Sequence, residues 1–316
     1  MPNYKIILNP ASGRGSGSRA QPVIEQALKA AAINYDLSVT QAPGQAMEFA
    51  YQAAMDGFDI VVAVGGDGTA HEVVGGLAQA ARERGAWQTG APVGTLGLVP
   101  LGTGNDFAWR LGLPLNDPER ACQVLLSGGS RVVDLGEVTD ELGHSQIFHN
   151  HLGGGFEAAA AIESLKIQRL RGMPLYLAAV FRILPQYSKQ VPMTVIYNDK
   201  SVTKPLLMVS ASNGGRSGGG FKVAPDALLD DGKLDLVIGS SPNIPTTLWL
   251  LPHFLAGTHG RLKKNVTMDR VVSLVVEAPG GIPVHLDGEI FRADARRLEI
   301  CVLPHRLRVI ADPSGR

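Results

Sequence analysis

The stretch that most constrains the fold is Asp59-Ile60-Val61-Val62-Ala63-Val64-Gly65-Gly66-Asp67-Gly68-Thr69. An unbroken apolar run rich in β-branched residues reads as a buried strand, closed by three glycines before a helical pattern from Ala70 through Leu77. Glycines in such a turn take left-handed dihedrals and carry no Cβ, so backbone N–H groups can close on a ligand beside the positive end of the helix. The ligand this predicts is phosphate. Asp67 would repel a bare polyphosphate unless a cation or a hydroxyl stands between them, which favours a magnesium nucleotide. Thr69 offers a hydroxyl to phosphate or to the helix start. The Lys-Ser/Thr ending of a Walker A loop is missing from the chain, so the fold is another nucleotide fold, or the turn is simply a tight connection.

The same pattern recurs upstream and downstream. Lys5 to Leu8 reads as a strand ending in the loop Asn9-Pro10-Ala11-Ser12-Gly13-Arg14-Gly15-Ser16-Gly17, before a helix around Ala20 to Ala32. The loop is a second phosphate candidate in which Arg14 could meet a phosphate, or a flexible connector; its GxGxxG look fails at Ser18. A strand from Tyr35 to Thr40 and a helix from Gln45 to Asp56 follow, and repeated β-α units predict a parallel sheet with ligands at the strands' C-terminal ends, where Thr40 lies. The strand Val93 to Pro100 runs into Leu101-Gly102-Thr103-Gly104-Asn105-Asp106-Phe107, a third glycine turn in which Asn105 also suits a helix cap. Asp117, Pro118 and the pair Gly128-Gly129 bracket a further helix that places Cys122 in the core.

At 316 residues the chain is expected to form two domains. With 29 basic and 29 acidic residues, it lacks the basic excess that a nucleic-acid partner requires. Cys122 and Cys301 sit in apolar segments and read as buried, reduced thiols. The N-terminal apolar run is too short for a signal peptide, and no segment reaches membrane-spanning length. Past Asp134 strands crowd together: 131–138, 146–151, 193–197, 206–212, 234–238, 273–276 and 297–303, interrupted by helical stretches Glu157 to Gln168 and Leu175 to Tyr187. Asn198-Asp199 reads as a hairpin turn. The expected division is an α/β domain over 1–134 and a mainly β domain over 135–303, with 304–316 a candidate for return to the first.

Six stretches together resemble one family, the diacylglycerol kinase catalytic-domain lipid kinases, which include sphingosine and ceramide kinases. They are Asn9 to Gly13, Gly65 to Thr69, Gly102 to Phe107, Gly153-Gly154-Gly155-Phe156-Glu157-Ala158, Asp231-Gly232-Lys233-Leu234-Asp235 and Asp287-Gly288-Glu289, in the family's order over nearly the full length. The resemblance implies an ATP-binding α/β domain like that of NAD kinase and phosphofructokinase, joined to a β-sandwich domain, with the active site in the cleft between them. It implies ATP at Asn9, Pro10, Ala11, Ser12, Gly13, Thr40, Gly65, Gly66, Asp67, Gly68, Thr69, Ala70, His71, Glu72, Thr103, Asn105 and Asp106. It maps the proton acceptor to Glu289 or Asp287, one of which must reach the substrate hydroxyl. It maps a second-domain Mg2+ to the Asp231 carboxylate with the carbonyls of Leu228 and Lys233. Glu157 stands where many relatives carry Asp, and no role attaches to it.

Three decoys are set aside. Gly215-Arg216-Ser217-Gly218-Gly219 fits the GxSxG string of serine hydrolases, but no helix pattern follows Ser217. His149-Asn150-His151 could place two imidazoles on one strand face without a third ligand at matching spacing. Gly153 to Ala158 resembles a dinucleotide fingerprint without a β-α-β frame. The runs 175–187 and 248–255 could line an acyl pocket or touch a bilayer, with Arg261, Lys263 and Lys264 near anionic headgroups; core packing and a solvated basic turn are the plainer reading.

The resulting expectation is a cytoplasmic kinase, peripheral to the inner face of the membrane that presents its lipid. It would move the γ-phosphoryl of MgATP to a primary hydroxyl, diacylglycerol first. Asp67 would help place magnesium, and a homodimer is the assembly allowed. The alternatives are a kinase for a sphingoid or other lipid or for an NAD-like soluble acceptor, a non-catalytic lipid-binding protein, and an esterase acting through Ser217.

Overall fold

A computed structural model describes residues 2–127, 129–167, 170, 172–186, 191–241 and 243–311. Gly128, Gln168 and Tyr187, at expected helix ends, and 312–316 of the expected return lie outside the described residues. The chain divides into two compact units, Met1–Leu135 with Pro304–Arg316, and Gly136–Leu303.

The first unit alternates strand and helix: β1 (Asn3–Leu8), α1 (Ser16–Ala30), β2 (Asn34–Val39), α2 (Gln45–Met55), β3 (Ile60–Gly65), α3 (Asp67–Glu83), β4 (Thr95–Pro100), α4 (Asp106–Arg110) and α5 (Pro118–Ser127). β1 lies between β2 and β3, with Ile6 opposite both Leu37 and Val62, and β3 pairs β4; every pairing is parallel. Parallel strands covered on both faces must be apolar on both, and β3 is buried at every position. Ile6, Leu8, Val62 and Val64 pack against Ile24 and Leu28 of α1 and Leu125 of α5. Each such side chain contributes roughly 1.5–3 kcal/mol when fully removed from water. Cys122 joins this core, and burial pushes its thiol up to about 11, which makes it inert packing.

Two helix starts differ from expectation. α1 begins at Ser16, behind Gly15 at φ 86°, and α3 begins at Asp67. Gly68 and Thr69 are thus the first turn of a helix, and Gly66 is the residue that stands before it.

The chain enters the second unit within β5 (Ser130–Asp140) and continues through β6 (Ser145–Phe148), β7 (His151–Gly155), α6 (Phe156–Ser164), α7 (Gly172–Ile183), β8 (Val191–Tyr197), β9 (Lys200–Leu206) and β10 (Met208–Ser212). Then follow β11 (Leu234–Gly239), α8 (Ile244–Ala256), β12 (Val266–Val271), β13 (Ser273–Leu286) and β14 (Glu289–Ile310). Strands β12, β11, β10 and β7 form an antiparallel ladder. β13 joins that ladder through Val284–Leu286 opposite β7, yet pairs β8 through Leu274–Glu277. Register shifts between Glu277 and His285, with Gly281 at φ 74°, let one strand serve both partners. The result is a β-sandwich-like unit whose core holds Leu152, Val195, Leu236, Leu274, Val284 and Ile300. The ring of Phe148 lies over Gly136, its cross-strand partner, where a Cβ would meet Cζ at 2.0 Å.

Asn198 and Asp199, at φ 45° and 58°, turn the β8–β9 hairpin as expected. The expected strand 146–151 is two strands broken at His149-Asn150. The strand expected at 273–276 runs on to Leu286, and Val266–Val271 is a strand that periodicity did not pick out.

Candidate active site

In the first unit the three glycine turns meet at the C-terminal edge of the parallel sheet. A Cβ on Gly102 would lie 2.4 Å from Gly66 Cα, and one on Gly13 would lie 2.1 Å from the carbonyl of Leu101. Only residues without side chains allow this approach. Polar contacts lock it. Asn9 Nδ2 donates to Thr69 Oγ1 at 3.1 Å, and the Asp106 N–H donates to Asp67 Oδ1 at 2.8 Å. Asn105, left-handed at φ 51°, accepts from the Gly102 N–H at 2.8 Å and returns Nδ2 to the Gly102 carbonyl. Ala11 N donates to Asn9 Oδ1, and the buried Thr40 holds the Leu8 carbonyl through its N–H at 2.9 Å.

Helices α1, α3 and α4 all begin at these turns, behind Gly15, Gly66 and Asn105, and none is capped by the side chain of the residue before it, although Asp67 takes the first N–H of α4. Helix starts place the positive end of the peptide dipoles at this edge, although in α1 the Gly17 and Ser18 N–H groups go to the Ser12 and Pro10 carbonyls. Of the expected nucleotide residues, Asn9, Ser12, Gly13, Gly66, Asp67, Thr69, Asn105 and Asp106 are tied into this one constellation. Glu72 is used differently: its two oxygens accept the Gly44 and Ala46 N–H groups at 2.9 and 3.0 Å and so cap α2. Ala70 and His71 are buried within α3.

In the second unit Asp287-Gly288 forms a two-residue turn between β13 and β14, with Leu286 opposite Glu289 and φ values of 53° and 96°. The two acids differ in use. Asp287 is buried and accepts the N–H groups of His149, Asn150 and His151 at 2.9–3.1 Å, with His149 Nδ1 2.8 Å from Oδ2. Those donors break the strand at 149–150. Glu289 is exposed on the far side of the turn.

Beneath this turn is a cluster that sequence spacing did not reveal. His151 Nε2 lies 2.7 Å from Glu157 Oε1, His285 Nε2 lies 3.7 Å from the same oxygen, and Ser210 Oγ donates to Oε2 at 2.9 Å. Burial pushes Glu157 upward, but the charge and hydrogen bond of His151, with His285 close by, outweigh it and hold the carboxyl well below its ordinary range. The three side chains bring ligand atoms within 4.8 Å of one another, a metal-like grouping. The tautomer argues against a metal: His285 Nδ1 accepts the Gly288 N–H at 3.2 Å, so Nε2 carries the proton and has no lone pair to coordinate.

The residues mapped to a second-unit Mg2+ fit that ion poorly. Asp231 Oδ1 accepts the Lys233 N–H at 3.1 Å, and Oδ2 faces Arg270 Nη1 at 3.4 Å. Arg270 also stands 3.6 Å from Asp235, its cross-strand partner, and donates to the Asp226 carbonyl. A guanidinium therefore already neutralises the carboxylate that a dication would need. Behind it, burial pushes Asp235 up to about 6 against the pull of Arg270.

Helices α6, α7 and α8 pack on β10 and β11 around an apolar cavity of ≈ 50 Å³, lined by Phe156, Tyr176, Leu207, Met208, Phe221, Leu250, Leu251 and Phe254, with Glu157 and Thr247 as its polar groups. Ser217 bridges Phe221 in a turn with no helix behind it, which removes the esterase geometry. Among the described residues no helix is long and apolar enough to cross a membrane.

Residues 3–138 match the family described as diacylglycerol kinase catalytic domain, and 150–311 match the YegS C-terminal NAD kinase beta sandwich-like domain. The chain is 30% identical to a diacylglycerol kinase of Bacillus subtilis (strain 168), over 90% of this chain and 92% of that protein. It is 32% identical to a "Probable lipid kinase YegS-like" of Pseudomonas aeruginosa, over 98% and 95%. Its fold matches the crystal structure of a diacylglycerol kinase from Bacillus anthracis with a TM-score of 0.72 at 20% identity, over 100% and 98% of the two chains. Both halves of the chain and their order therefore agree, and the chain belongs to the diacylglycerol kinase catalytic-domain family of lipid kinases.

Proposed function

We propose that the chain transfers the γ-phosphoryl of MgATP to the primary hydroxyl of diacylglycerol, giving phosphatidic acid. The meeting of three glycine turns with the starts of α1 and α3 at one sheet edge carries this reading, because glycine-rich helix starts bring backbone N–H groups and the positive helix end to one place, as a triphosphate requires. Magnesium arrives with the nucleotide and neutralises charge on the transferring group. Asp67, whose Oδ1 already orders the Asp106 N–H, orients the edge that receives it. Glu289 takes the hydroxyl proton, and Asp287 holds the turn that presents it. The choice between the two acids follows from their surroundings: Asp287 is occupied by three backbone donors, whereas Glu289 is exposed.

A lipid acceptor is favoured over a soluble one by the apolar helices of the second unit, whose exposed face carries large hydrophobic residues. α7 and α8 expose Phe181, Leu248 and Trp249, and Arg261, Lys263 and Lys264 are exposed further along the chain. That combination suits shallow contact with an anionic bilayer at the cytoplasmic face.

The test is incubation with γ-labelled ATP and separate vesicles of diacylglycerol, sphingosine, ceramide or monoacylglycerol, with NAD as the soluble arm. Label in phosphatidic acid that disappears in Glu289→Gln supports the proposal. Label in NAD alone, or in no product, overturns it.

A further inference from the structure

Glu157 is buried, ionised and has no part in the mechanism above. Its surroundings show what it holds. The Glu157 and His285 side chains fill the space that Gly153 leaves open, where a Cβ would lie 2.4 Å from His285 Nε2 and 2.8 Å from Glu157 Cδ. Ser210, His151 and His285 all aim at the one carboxylate, and His151 Nδ1 is itself 2.8 Å from Ser212 Oγ. Every member is at least nine-tenths buried. An imidazole in such a place has two tautomers, and the partner of one nitrogen decides the state of the other. A carboxylate at Nε2 favours the proton there, which leaves the Nδ1 lone pair for the Gly288 N–H. Gly288 sits between Asp287 and Glu289.

We infer that Glu157 is a positioning residue for the acidic turn: through His285 it fixes the Gly288 N–H and with it the place of Glu289. The inference rests on Glu289 as proton acceptor. Removing the negative charge releases His285 to its other tautomer, in which Nδ1–H and the Gly288 N–H are two donors facing each other. The turn then loses one of its anchors, while the nucleotide turns, which belong to the other unit, are untouched.

Two measurements test this in the full-length protein. Nitrogen-15 histidine spectra of the wild type should show His285 protonated at Nε2 and bare at Nδ1, and Glu157→Gln should shift that population. In vesicle assays Glu157→Gln should lower kcat by up to roughly 100-fold, because a 1 Å displacement of a positioned group can cost on the order of 10²-fold, with KM for ATP unchanged. Glu157→Asp, which restores the charge with shorter reach, should recover part of the loss. His285→Asn keeps an acceptor near the Nδ1 position that needs no carboxylate, so Glu157→Gln should cost much less in that background. Wild-type kcat in Glu157→Gln, additive losses in the double variant, or a wild-type His285 protonated at Nδ1 would each overturn the inference. If Glu157→Gln does not fold, the wild-type spectrum and the His285→Asn variant decide. Activity retained in Glu289→Gln would instead sink the proton-acceptor assignment, and the His285 spectrum would still report on Glu157.

Discussion

Gly102→Ala isolates the close approach of two glycine turns. The backbone at Gly102 is not in the left-handed region, so alanine meets no dihedral penalty there and the whole effect is one of space. The added Cβ would stand 2.4 Å from Gly66 Cα and 2.8 Å from Asn105 Oδ1. Carbon atoms rest at about 3.5–4.0 Å, so the turns must part by roughly 1 Å or more. Overpacking of this kind costs about 1–3 kcal/mol, and each kcal/mol lowers Tm by roughly 2–4 °C in a unit of 150–250 residues. The larger effect should be functional, because a 1 Å misplacement of a positioning group can cost on the order of 10²-fold in rate. Nucleotide affinity by calorimetry, turnover on diacylglycerol vesicles and thermal unfolding together separate the two effects. Gly66→Ala, whose Cβ would meet Gly102 Cα at 3.0 Å, should be milder. Gly280→Ala, with its nearest neighbour 4.0 Å away, should match the wild type. Wild-type nucleotide affinity in Gly102→Ala would refute the claim that this contact shapes the phosphate site.

The two acids of the β13–β14 turn should separate. Asp287→Asn weakens the acceptor of three buried N–H groups and should lower stability by about 1–3 kcal/mol in denaturant titration. Glu289→Gln should abolish turnover with little change in the unfolding midpoint. Asp235 sets a pH dependence. Its folded value of about 6 lies above its ordinary 3.8, so the folded chain holds a proton across that window which the unfolded chain has lost. The stabilisation from this group is therefore full below the lower value and lost as pH rises through about 6. Asp235→Asn should flatten the stability–pH curve between those limits. Arg270→Ala should make Tm rise with added Mg2+ in the absence of nucleotide, because the carboxylate of Asp231 then loses its guanidinium; a Tm indifferent to Mg2+ would count against Arg270 as the built-in cation.

Elements whose signal is local were legible in the sequence. The Asn198-Asp199 hairpin is written in residue types that tolerate positive φ, and the turns at Gly66 and Gly102 in residues without a Cβ, which serve there for close approach and not, as the sequence suggests, for left-handed dihedrals. Cys122 was legible as core because its helix is bracketed by Pro118 and flanked by apolar positions. What was not legible depends on partners far along the chain. The break at His149-Asn150 exists because Asp287, 138 and 137 residues away, draws those N–H groups off the ladder. Glu72 sits within a nucleotide motif but is taken by α2, and Glu157 gains its meaning from His285. Arg270 lies outside every motif and still decides whether Asp231 has room for an ion. Helix starts were misplaced where glycine, read as loop, stands in a first turn, as Gly68 does.

The last pairing of the parallel sheet comes from the far end of the chain: Arg308 and Val309 of β14 lie against Thr95 and Leu96 of β4, and the Val93 N–H reaches the Arg306 carbonyl. During synthesis, the first unit must wait with one strand edge open until the entire β-sandwich-like unit has left the ribosome. A fragment ending at the boundary near Leu135 should accordingly self-associate, and supplying 304–311 as a separate peptide should quiet it. The two halves are thus bound to one birth order, in which the unit begun first is the one completed last.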